Sequence, residues 1–100
     1  MKIYGFGSYF KGSEIFNDID LLIVHESLDR DSCLDAIRLK IEIIARIDKA
    51  DIVLLSMAEE TQFNFIKVAS AIPLVVCESI FNDEILDELE SKVQSFMNCK

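Results

Sequence analysis

Glycine and proline are scarce in this chain, three and one among one hundred residues. That scarcity, beside a hydrophobic share of 51%, excludes collagen-like and disordered structure. Basic side chains are also in short supply, ten Lys and Arg against eighteen Asp and Glu, for a net charge of −8. The deficit argues against sequence-independent nucleic-acid binding, which depends on neutralising phosphates, and against docking on an anionic membrane. No apolar run approaches the length of a membrane span. The first residues, Met1-Lys2-Ile3-Tyr4-Gly5, run straight into strand-like sequence without a signal segment, so the expected compartment is the cytosol. Cysteine is sparse and odd in number. Cys33, Cys77 and Cys99 match no zinc spacing and read as reduced, mostly buried structural thiols.

What is present fits one domain over residues 1–100, with a single core. Lys2 to Phe6 reads as a strand, followed by a short helix or turn around Ser8 to Gly12. Ile19 to Val24 is a β-branched apolar run with polar bounds, the clearest strand in the chain. A helix is predicted from Ser32 to about Lys49, opened by Ser32 and Asp35, then a strand over Asp51 to Leu55. Ser56 and Glu59 form a second capping box, opening a helix with Phe63, Ile66 and Ser70 on one side. Pro73 to Cys77 is a fourth strand with the proline at its first position, and Asn82 caps a final helix. Ile85, Leu86, Leu89, Val93, Phe96 and Met97 are helically spaced along that last element, whose acids Asp83, Asp87, Glu88 and Glu90 read as a solvated face. The expected fold is α/β or α+β, a small mixed sheet of about four strands with helices mainly on one face.

The helix from Ser32 carries two apolar stripes, Leu34, Ile37, Ile41, Ile44 and Leu39, Ile43, Ile47. A helix lying on one sheet needs only one. Either the last helix folds over the second stripe, or the stripe is a subunit contact.

The stretch that carries chemistry is Gly5-Phe6-Gly7-Ser8-Tyr9-Phe10-Lys11-Gly12-Ser13, followed by Asn17-Asp18-Ile19-Asp20-Leu21-Leu22. A dinucleotide fingerprint fails, because Phe10 stands where its third glycine belongs. A P-loop fails too, since Ser13 and Glu14 follow Gly12 in place of the required lysine and hydroxyl residue. A metal-dependent nucleotidyl-transfer site fits. On a strand, residues two apart share a face, so Asp18 and Asp20 aim both carboxylates one way. Such a pair suits Mg²⁺, a hard cation that prefers oxygen ligands and shares them with substrate phosphates. Asp51, opening the next strand, is the candidate third ligand of a two-metal site. Gly7 and Ser8 would offer backbone N–H groups and a hydroxyl to the outer phosphates. His25 reads as a surface histidine, and Tyr4 and Tyr9 as packing residues.

Phe6-Gly7-Ser8, a spacer of nine residues and Asp18-Ile19-Asp20 before an apolar strand resemble the signature of the DNA polymerase β-like nucleotidyltransferase superfamily. Within it, the chain is most similar to the minimal nucleotidyltransferases, with likeness over about residues 3 to 78. Asp51 falls where that family places its third acid. Phe10 stands where the family often has a small residue, and Lys11 where it usually has arginine. Lys11 keeps the charge without the planar fork and is the candidate phosphate contact. The resemblance implies the nucleotidyltransferase fold and a Mg²⁺-dependent transfer of an NMP. AMP from ATP onto a hydroxyl of a partner protein is the expected case, and many such proteins are antitoxins paired with HEPN-domain toxins. The resemblance leaves two alternatives: a non-catalytic antitoxin that occludes its partner, and a small-molecule nucleotidyltransferase. With no room for an acceptor domain, the chain is expected to work with a partner protein or as a homo-oligomer.

Overall fold

The computed structural model describes residues 1–13, 15, 17–27, 29–76 and 83–98. Among the described residues, nine elements follow in order: β1 (Lys2–Phe6), α1 (Gly7–Phe10), β2 (Ile19–His25), α2 (Arg30–Arg46), β3 (Ala50–Ser56), α3 (Met57–Phe63), α4 (Phe65–Val68), β4 (Ile72–Val76) and α5 (Asp83–Asn98). The strands form one mixed sheet in the order β3-β2-β1-β4. Strand β1 pairs antiparallel with both β2 and β4, while β2 and β3 run parallel, joined by the α2 crossover.

The apolar run of β2 is explained by its central position. Leu21 and Ile23 join Ile3 on one face, beneath Ala36, Leu39 and Ile43 of α2 and Leu86, Leu89 and Val93 of α5. Leu22 and Val24 face the other way with Leu55, and Tyr4, Phe6, Val53, Phe65 and Ile66 pack around them. The larger core therefore lies under the two long helices, and short α4 covers part of the opposite face.

Several boundaries differ from expectation. Helix α2 begins two residues early because Asp29, not Ser32, is its N-cap; the Asp29 carboxylate accepts the Ser32 N–H at 2.9 Å. The Ser32 hydroxyl is otherwise engaged, 3.1 Å from Nδ1 of His25 and accepting the Ser27 N–H at 3.1 Å. The helix ends at Arg46, and Lys49 (φ 67°) turns the chain into β3. The Ser56–Glu59 capping box is present, with N–H···O distances of 3.1 and 3.0 Å. The helix it opens is not continuous. Asn64 takes a left-handed conformation (φ 53°), which asparagine tolerates better than most residues, and splits the segment into α3 and α4. The Glu60 carboxylate then accepts the Ile66 N–H at 3.0 Å. The break leaves Phe63 exposed while turning Phe65 and Ile66 toward the sheet.

Pro73 is the second residue of β4, at a register irregularity on an edge strand, where its missing N–H costs least. The acids of α5 are not all simply solvated: Arg46 of α2 pairs with Asp83 at 3.2 Å and Asp87 at 2.5 Å, and Lys92 with Glu88 at 3.4 Å. Cys33 is half-buried. Cys77, Cys99 and the Asn82 cap lie outside the described residues. No described helix is long and apolar enough to cross a membrane.

Candidate functional site

The parallel register of β2 and β3 sets Asp20 opposite Asp51, and the antiparallel register of β1 sets Phe6 opposite Asp20. Alternation along β2 sends Asp20 to the same face as Leu22 and Val24, opposite the large core. Asp18, two residues earlier and just outside the strand, completes the group. One carboxylate oxygen from each of Asp18, Asp20 and Asp51 lies within 4.8 Å of the others. All three expected acids thus converge at the N-terminal ends of the parallel pair. Asp20 is half-buried, and Asp18 and Asp51 are exposed.

Burial, followed by repulsion from Asp51 and then Asp18, raises the Asp20 carboxyl above its ordinary value of 3.8. Among the described residues no hydrogen bond to Asp20 relieves that repulsion. Three carboxylate oxygens gathered this closely form a donor set that could hold a hard divalent cation. The neutralising charge would act on the residue that bears the largest cost.

Gly7 meets this group from the other side. Its φ of 80° is strained for any residue with a side chain, and a Cβ there would sit 2.3 Å from Oδ2 of Asp20. Glycine is therefore required twice over, and its backbone closes directly on the carboxylate. Ser8 is exposed in the first turn of α1, which no side chain caps. Lys11 is exposed at the end of α1 and, among the described residues, forms no ion pair with the three acids. Of the six expected site residues, the structure brings together Asp18, Asp20, Asp51 and Gly7 and keeps Ser8 adjacent to Gly7, while Lys11 is exposed at the end of α1 without an ion pair to the acids.

Phe10 does not crowd the carboxylates. It is buried in the large core, its ring edge-on to Tyr9 and Phe96 with centroids 5.1 and 5.0 Å away. A Cβ on Gly5 would fall 2.5 Å from that ring, so Phe10 lies over a gap left by the glycine. Tyr9 packs as expected, buried and donating its hydroxyl to the Val93 carbonyl at 2.6 Å. His25 is buried rather than on the surface, at the opposite end of β2 from Asp20. Two surface clefts, one lined by Glu26, Asp29 and Asp35 and the other by Tyr4, Val24 and Thr61, also lie toward that far end.

Sequence reasoning missed Lys49. Its carbonyl accepts the Ile19 N–H at 2.9 Å, pinning the backbone between Asp18 and Asp20, and its left-handed turn leads into Asp51 two residues on. A lone lysine in a helix-to-strand turn carries no pattern that would have marked it. No protein-family model matches the chain, and neither the curated proteins nor the solved structures yield a match.

Proposed function

We propose that the chain is a Mg²⁺-dependent nucleotidyltransferase that moves an NMP, AMP from ATP in the first instance, onto a hydroxyl of a partner protein. The observation that carries this reading is the convergence of Asp18, Asp20 and Asp51 beside the Gly7-Ser8 turn. Asp18, Asp20 and Asp51 would hold the metal, which when bound would neutralise the triphosphate and the developing charge on the leaving pyrophosphate. Gly7 would let the phosphates approach its backbone, Ser8 would offer a hydroxyl, and Lys11 would supply a positive charge to the phosphates. In the reaction, the acceptor oxygen bonds to the α-phosphorus as the bond to the β,γ-pyrophosphate breaks. Asp51, exposed on the outer strand, would help take the proton that the hydroxyl gives up. The family resemblance suggests a HEPN-domain toxin as the partner and the cytoplasm as the compartment.

A second reading, an antitoxin that works by occluding its partner, is favoured by the apolar stripe that α2 leaves exposed. α-Labelled ATP and Mg²⁺, incubated with the chain and total protein from its source cells, separate the two. Catalysis predicts label on a protein band and release of pyrophosphate, both lost in Asp18→Asn and Asp20→Asn. Label on a small molecule instead would identify a small-molecule acceptor. If no label is transferred and Mg²⁺ leaves the melting temperature unchanged, the catalytic reading fails.

A further inference from the structure

The two edges of the sheet differ in how the chain finishes them. At β4, Pro73 supplies no N–H and the Lys92 ammonium of α5 donates to the Leu74 carbonyl at 2.5 Å, so that edge is blunted against further pairing. The opposite edge, β3, carries neither device over its seven residues. In a parallel ladder every second residue turns both its N–H and its C=O away from the neighbouring strand. Outside the ladder, β3 donates only at its two ends, from Ala50 N–H to the Ile47 carbonyl and from Ser56 N–H to the Glu59 carboxylate. Among the described residues, the outward groups of residues 51–55 meet no other part of the chain. Such a row is a template for one more extended strand.

The same strand carries Asp51. Gly7 directly after β1, Asp20 on β2 and Asp51 on β3 stand in sequence across the sheet toward this edge. An in-line displacement at the α-phosphorus needs the acceptor oxygen on the side away from the departing pyrophosphate. With the outer phosphates at Gly7 and Ser8, that side lies beyond Asp51. A strand added to β3 would run about 4.8 Å further out, and alternation would turn every second side chain to the face that carries Asp20 and Asp51. The residue of that strand level with Asp51 would bring a hydroxyl beside its carboxylate.

We infer that β3 is the acceptor-binding edge: the partner protein pairs an extended segment with it and presents a serine, threonine or tyrosine level with Asp51. The assignment rests on the nucleotidyl-transfer reading, whereas the pairing itself needs no catalysis. As the acceptor oxygen bonds to the α-phosphorus and pyrophosphate leaves, Asp51 would take the hydroxyl proton. The probe is a synthetic peptide of alternating valine and threonine with lysines at both ends, added at about 2 mM. A dissociation constant of about 1 mM would slow hydrogen exchange at the outward amides of residues 51–55 about threefold and leave β4 unchanged. At the same occupancy the peptide should cut label transfer from ATP to total protein about threefold. The peptide N-methylated on alternate residues, unable to complete the ladder, should do neither. Protection with unchanged labelling overturns the acceptor assignment, and absent protection, or protection at β4 instead, overturns the edge. Protection that grows with protein concentration without peptide gives the edge to a second copy and overturns the assignment as well. If the wild-type chain transfers no label at all, nucleotidyl transfer is what fails, and protection alone decides whether β3 pairs.

Discussion

Replacing Asp20 with asparagine should stabilise the metal-free protein. Burial and two neighbouring carboxylates raise the Asp20 carboxyl, burial being the larger cause. Asparagine keeps the shape beside Gly7 while removing both repulsions. At 4.8 Å, the outer bound of the oxygen cluster, each pair costs about 0.9 kcal/mol in a water-like dielectric. Asp20 is only partly buried, and salt screens over a Debye length of about 8 Å, so the two pairs together come to about 1 kcal/mol. Relief from burial adds to that. For a domain of this length, 1 kcal/mol moves the melting temperature by about 4–8 °C. Differential scanning calorimetry in a chelator should therefore find Asp20→Asn melting higher than wild type. Adding Mg²⁺ should reverse the order, since a ligand at ten times its dissociation constant stabilises by about 1.4 kcal/mol and the variant has lost a ligand oxygen. The pH dependence has a definite sign. Because the folded-state carboxyl is raised, the fold binds more protons than the unfolded chain in the window just above 3.8, so stability rises as pH falls through it. That increment should vanish in Asp20→Asn. A variant that melts below wild type in chelator, or that gains as much from Mg²⁺, would refute the argument.

Gly7→Ala combines a φ of 80° with a Cβ placed 2.3 Å from the Asp20 carboxylate. The left-handed backbone alone costs about 1–2 kcal/mol, so denaturant titration should find at least that loss, and the displaced carboxylate should weaken any Mg²⁺ stabilisation further. Tyr9→Phe removes the buried bond to the Val93 carbonyl and should cost about 1 kcal/mol, read as a lower urea midpoint at unchanged m-value.

The features legible in the sequence are those set by local spacing. Strand periodicity turns Asp20 away from the large core, Asp51 joins it from the start of the neighbouring strand, and Asp18, one residue before β2, lies close enough to complete the group. The Ser56–Glu59 box was readable because both partners lie within one turn. What was not readable depended on choices among equivalent residues or on distant partners. Asp29 and Ser32 are both good caps, and the contest is decided by His25 and Ser27, which occupy the Ser32 hydroxyl. The break at Asn64 puts Phe65 against Phe6, rings edge-on at 5.1 Å, a contact that sequence periodicity cannot anticipate. Asp83 and Asp87 looked like ordinary surface acids until Arg46, some forty positions earlier in the chain, came beside them.

Gly5 near the end of β1 and Gly7 at the start of α1 connect the site to the core. On the core side, Phe10 fills the space above Gly5; on the other side, the Asp20 carboxylate fills the space beside Gly7. The turn is held between them, so the bulky residue at position 10 anchors the backbone that approaches the carboxylates instead of obstructing it. Tyr9 extends the anchor to α5 through Val93. Loosening α5 should thus be felt at Gly7 even though no residue of that helix belongs to the acid cluster. The outer stripe of α2 stands in a different relation. Alternation in β2 sends Leu21 and Ile23 toward α2 and Asp20 and Leu22 away from it, so the stripe and the carboxylates lie on opposite sides of the sheet. Substitutions in the stripe and in the cluster should therefore behave additively.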